Sequence, residues 1–235
     1  MRYEEIKLSI HRHYLKPEDS KVLFRCDGCK QDGIGLSYRC DKCNFDLHFH
    51  CAKTPNTISH PSYGKRSFKF MSEPPKGRPP CCDACGNDVT GFFYCCEAKG
   101  VKVNLHPCCA KLPKELDHGK MKFSLWLQVT TSCHKCEKER KSWVYRSECD
   151  KKYTLHVACA REMLMEWWRN GDGGTSTGLP TGVPCLKDRL QVPHKMSKSK
   201  KKWWKMLLLA LRFMISAWAG DPTTLIAGVL SSIMS

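Results

Sequence analysis

Three stretches of this chain repeat one arrangement of cysteine and histidine, and that arrangement limits what the chain can become. Each stretch opens with C-x2-C, at Cys26/Cys29, Cys82/Cys85 and Cys133/Cys136. Each later carries L-H-x-x-C-A-[KR], at residues 47–53, 105–111 and 155–161. The step from first cysteine to histidine is 22, 24 and 23 residues. A tyrosine recurs 12 positions after the first cysteine, at Tyr38, Tyr94 and Tyr145. One register kept three times marks three copies of one supersecondary unit.

Each copy is about 50 residues long, too short to bury enough apolar surface to offset its chain entropy. A structural metal is the usual remedy, and a zinc site can supply about 10–16 kcal/mol. Composition points the same way. There are 17 cysteines and 10 histidines, and all the cysteines but Cys185 lie between Cys26 and Cys159. The N-terminus, MRYEEIKLSI, has no apolar run of the secretory kind, so an intracellular, thiol-preserving setting in cytoplasm or nucleus is expected. In that setting a cysteine-dense chain reads as zinc-binding rather than disulfide-stapled.

Two cysteines three apart on a tight knuckle aim both sulfurs at one ion, and a returning H-x2-C completes the tetrahedron. This predicts three Cys3His sites: Cys26, Cys29, His48 and Cys51; Cys82, Cys85, His106 and Cys109; Cys133, Cys136, His156 and Cys159. The first unit also holds Cys40-x2-Cys43, placed between the ligands of its first site. A second, interleaved site needs two more ligands, and His13 and His60 are the candidates. His11 rivals His13, and His50 is a weaker rival.

The spacing H13-x12-C26-x2-C29-x10-C40-x2-C43-x4-H48-x2-C51-x8-H60 resembles the C1 zinc finger of diacylglycerol and phorbol-ester sensors. The terminal histidine and the tandem copies are similar to the divergent C1 (DC1) domains of plant cysteine/histidine-rich proteins. The resemblance covers about residues 11–165. It implies a cross-brace, with His13, Cys40, Cys43 and His60 on one zinc and the Cys3His set on the other. It also implies small zinc-stabilised α+β modules, with short strands and one short helix each, acting in intracellular signalling. In the second unit only Cys96 and His118 align with second-site ligands, and in the third Ser147 replaces the counterpart of Cys40. About four Zn2+ per chain are expected, with Cys96 and His118 the weaker candidates for a fifth site.

The expected divisions are unit 1 at 1–62, unit 2 at 63–118, unit 3 at 119–168, a Gly/Thr/Pro linker at 169–186, a polybasic segment at 187–205 and an apolar helical tail at 206–235. Pro-rich residues 73–80 read as the joint between units 1 and 2. A PHD finger shares the opening C-x2-C…C-x2-C-x4-H-x2-C, but that scheme strands His13 and His60. No catalytic motif stands out, and closed Cys3His sites leave no open metal position, so no enzyme is expected. A thiol-disulfide reductase, using the C-x-x-C pairs, is the catalytic alternative. Residues 30–39 lack the apolar tip that inserts into lipid, which argues against diacylglycerol or phorbol ester.

The formal net charge is +16. Lys198, Lys200, Lys201, Lys202 and Lys205, with Trp203 and Trp204, precede an apolar stretch too short to span a bilayer. They suit an anionic membrane surface, with nucleic acid the alternative partner. The apolar stretch could equally pack on the zinc units. The function expected is that of a non-catalytic interaction protein with protein or anionic-lipid partners.

Overall fold

A computed structural model of the chain describes residues 3–98, 100–118, 121–148 and 153–171, together with Met214 and Trp218. Its local logic starts at the C-x2-C pairs. The amide of the residue after the second cysteine bonds to the first cysteine's carbonyl: Lys30 to Cys26 at 2.9 Å, Gly86 to Cys82 at 2.8 Å and Glu137 to Cys133 at 2.7 Å. Each of these residues is left-handed, with φ of 58°, 75° and 57°. One left-handed residue reverses the chain at once, and only Gly86 does so without a Cβ in the way.

Strands flank each knuckle. Strands β1 (Ile6–Lys7), β2 (Tyr14–Arg25), β3 (Asp32–Arg39) and β4 (Asp46–His48) form an antiparallel sheet in that order. Strands β5 (Thr57–Ser59), β6 (Ser67–Met71), β7 (Phe93–Ala98) and β8 (Val101–Leu105) repeat it. Strands β9 (Glu115–His118), β10 (Met121–Ser132), β11 (Glu139–Ser147) and β12 (Thr154–His156) repeat it again. The side chain after each first cysteine ties its knuckle to the fourth strand. Asp27 Oδ2 accepts from Asp46 N at 3.0 Å, Asp83 Oδ2 from Asn104 N at 2.8 Å, and His134 Nδ1 from Thr154 N at 3.2 Å.

The sheets move two boundaries. Strand β5 belongs to the second sheet and β9 to the third, so divisions after residues 62 and 118 cut through the following unit. Pro-rich residues 73–80 are not a joint either. They form the loop between β6 and the Cys82 knuckle, inside the second unit. Proline lacks the N–H a strand must donate, so this run cannot extend β6 as β2 extends to Cys26. The chain passes between units 1 and 2 at residues 53–56.

The helices differ between copies. Unit 1 closes on α1 (Phe49–Ala52), unit 2 on a 3₁₀ turn (Cys109–Lys111) and unit 3 on the 15-residue α2 (Val157–Gly171). One apolar cluster gathers Leu15, Tyr38 and Leu47 of unit 1 with Phe92 of unit 2. A larger one runs through units 2 and 3 and takes in Met214 and Trp218. Tyr38, Tyr94 and Tyr145 are all fully buried. Among the described residues no helix is long and apolar enough to cross a membrane. The residues from Lys198 to Lys205 lie outside the described ones.

Candidate metal centres

Four groups of four cysteine and histidine side chains converge among the described residues, with the ligand atoms of each group within 4.8 Å of one another. Three are the Cys3His sets: Cys26, Cys29, His48 and Cys51; Cys82, Cys85, His106 and Cys109; Cys133, Cys136, His156 and Cys159. In each, the knuckle supplies two sulfurs, the fourth strand ends on the histidine or just before it, and the following helical turn supplies the last cysteine.

Each ring is oriented by a backbone carbonyl. His48 Nε2 lies 3.2 Å from Asp32 O, His106 Nε2 3.3 Å from Asp88 O and His156 Nε2 3.2 Å from Thr131 O. A proton held on Nε2 by that carbonyl leaves the Nδ1 lone pair facing the sulfurs. His48 Nδ1 is 3.2 Å from Cys29 Sγ and 3.7 Å from Cys51 Sγ. His106 Nδ1 is 3.4 Å from Cys85 Sγ. His156 Nδ1 is 3.6 Å from Cys136 Sγ and 3.7 Å from Cys159 Sγ. Three thiols and one imidazole, converging at this spacing, fit a tetrahedral soft-metal site.

Packing thiols together also biases their ionisation. Burial pushes the Cys26 thiol up, but hydrogen bonds from Cys29 and Cys51 and the nearby His48 hold it well below the usual thiol range. A hydrogen bond from Cys159 draws Cys133 down to about 4 against its partial burial. One ready thiolate per site is what a metal needs to bind first.

The fourth group joins His11 and His13 to Cys40 and Cys43. His13 Nδ1 lies 3.5 Å from Cys40 Sγ and 3.2 Å from Cys43 Sγ. Desolvation, with Arg12 and Lys42 nearby, lowers the His13 pKa and keeps the ring neutral, as a ligand must be. His11 stacks on Phe45 with centroids 4.2 Å apart, and its Nε2 is buried without a hydrogen-bond partner. An orphaned buried nitrogen beside two thiols fits a fourth metal ligand.

This corrects the place expected for His60. It stands between β5 and β6 of the second unit, the position that His13 holds in the first. There it is fully buried, accepts from Ser62 N at 3.2 Å and packs edge-on against Tyr63 and Trp143. Burial lowers its pKa. Cys96 is buried in β7, within the larger apolar cluster. His118 ends β9, opposite Met121. Neither His60 nor Cys96 is in a group of converging ligands among the described residues.

Cys108, a cysteine outside the repeat pattern, lies buried within hydrogen-bonding reach of Cys51 and His48. A thiol of unit 2 therefore borders the Cys3His set of unit 1. The adjacent pair Cys108-Cys109 is its sequence signal: one sulfur faces its own unit and the next faces the preceding one.

Comparison with known proteins agrees with this chemistry. Residues 9–52 match the C1 domain family. A 54-residue stretch is 33% identical to probable nucleoredoxin 1 of Arabidopsis thaliana, covering 23% of this chain and 9% of that protein. No solved structure matches the chain. Residues 9–52, which hold eight converging Cys/His ligands, are thus similar to a C1-like, cysteine/histidine-rich zinc finger.

Proposed function

We propose that the chain is a non-catalytic interaction protein of DC1 type, held together by about four zinc ions and presenting its modules to protein partners. The observation that supports this most is the composition of the four groups. Each supplies four protein donors, which fills a tetrahedral zinc and leaves no position for water or substrate. Metal analysis of the reduced, purified chain tests it: about four zinc per chain is expected, and two or fewer overturns it.

For the basic tail the reading is contact with an anionic membrane surface through Lys198, Lys200, Lys201, Lys202, Lys205, Trp203 and Trp204. Burial of Met214 and Trp218 in the larger cluster supports packing of these two side chains on the zinc units. Deleting residues 187–235 should release the chain from phosphatidylserine vesicles. Unchanged binding would move the contact to the modules.

The likeness to a nucleoredoxin favours a second reading, thiol-disulfide exchange at the C-x-x-C pairs. Zinc-bound thiolates would not turn over, so disulfide-reducing activity in the zinc-loaded chain would decide for it.

A further inference from the structure

The three Cys3His sets differ at one position of the repeat. Seven residues after the first cysteine stands Gly33 in unit 1, Val89 in unit 2 and Arg140 in unit 3. In unit 1 that position has no room for a side chain, since a Cβ on Gly33 would lie 2.4 Å from His48 Nε2 and 2.5 Å from the Phe24 ring. In unit 2, Val89 is fully buried and apolar. In unit 3 the side chain turns onto the ligands themselves. Arg140 Nε donates to His156 Nδ1 at 3.2 Å, and its NH2 group donates to Cys159 Sγ at 3.3 Å.

We infer that the unit 3 set is the most exchangeable of the three Cys3His sites, with Arg140 competing for its ligands. This rests on the zinc reading above. The His156 Nδ1 lone pair is the one a metal needs, because Nε2 is directed at the Thr131 carbonyl. A guanidinium cannot give up its proton, so metal and Arg140 cannot hold Nδ1 together. A cation also repels an incoming dication. One effect opposes this: Zn2+ on three thiolates carries net negative charge, which the guanidinium would offset through Cys159. The Nδ1 contact decides the sign, since it must break before the ligand set closes. Access favours exchange too. The Cys3His ligands of units 1 and 2 are all buried, whereas Cys136 is half-buried and Arg140 exposed.

The experiment is a graded chelator titration of the zinc-loaded full chain, read by metal release and by mass spectrometry of thiol alkylation. Of the three Cys3His zincs, that of unit 3 should leave first, with Cys133, Cys136 and Cys159 labelled while Cys26, Cys29, Cys82 and Cys85 stay protected. Arg140→Val, with the residue of unit 2, should tighten that site about tenfold or more, the scale of groups that touch metal ligands. Arg140→Gln, which removes the charge and shortens the side chain, should tighten it in the same direction. The three Cys3His zincs leaving together in wild type and both variants would overturn the inference and leave the zinc reading standing. Weaker zinc in the variants would overturn it by making Arg140 a supporting group. Two zincs or fewer at the start would overturn the zinc reading itself.

Discussion

At the scale of single residues, the repeated tyrosines show what tandem copying does to a side chain. Tyr94 OH donates to Pro55 O at 3.0 Å and Tyr145 OH to Pro113 O at 2.7 Å. Pro55 and Pro113 occupy one position of the repeat, four residues after Cys51 and Cys109. Each tyrosine thus binds the exit of the unit before it. Tyr38 lies in the first of these three units, and its hydroxyl is buried without a partner. Tyr94→Phe and Tyr145→Phe should each destabilise by about 1 kcal/mol, and Tyr38→Phe should be neutral or stabilising, by denaturant unfolding at fixed free zinc. His60 gives a pH signature. Its folded pKa lies below the unfolded value of about 6.5, so its contribution is present above that pH and lost as pH falls below it. His60→Gln should flatten the fall in melting temperature between about pH 6.5 and 5 relative to wild type. Spacing made the ligand types legible but not the allegiance of His60. A histidine at a unit border can end one copy or begin the next, and only strand pairing tells which. Arg140 was illegible because its role depends on where a long side chain turns.

At the scale of elements, the knuckle and the meander are what the sequence announces and what folds. The C-x2-C turns follow from a local hydrogen bond and one left-handed residue, which leave a plain signature. Gly86→Ala puts a Cβ on a left-handed residue and should cost about 1 kcal/mol without altering zinc content, measured by unfolding and metal analysis. The joints between sheets have no such signature. Gly91 brings unit 2 against unit 1, where a Cβ would lie 2.1 Å from Gly28 O, and Phe92 N donates to that same carbonyl at 2.9 Å. Gly91→Ala should destabilise by about 1–3 kcal/mol and expose Phe92 side contacts to limited proteolysis. The length of α2 was equally hidden, because the motif that starts it also starts α1 and the 3₁₀ turn.

At the scale of the whole molecule, the three units do not merely follow one another. Phe92 enters the cluster of unit 1, and Trp143 of unit 3 packs on His60 and Tyr63 of unit 2. Helix α2 then returns to unit 1, where Arg161 donates to Asp32 O at 3.0 Å and Arg169 meets Asp32 Oδ2 at 2.9 Å. The Asp32 carbonyl is also the one that orients His48. Arg161→Met should therefore speed alkylation of Cys26, Cys29 and Cys51 under chelator and leave Cys82, Cys85 and Cys109 unchanged. Exhaustive chelation in reducing buffer should unfold all three sheets together, lost near-ultraviolet dichroism returning with zinc.

That return of α2 has a temporal side. The contact from Arg161 to Asp32 spans 129 residues of chain. A ribosome adding about 5–20 residues per second leaves the face beside His48 bare for roughly ten seconds after it emerges. In that interval the thiols of unit 1 are open to oxidants and wrong metals, so prompt zinc delivery matters most to the first-made of these three modules.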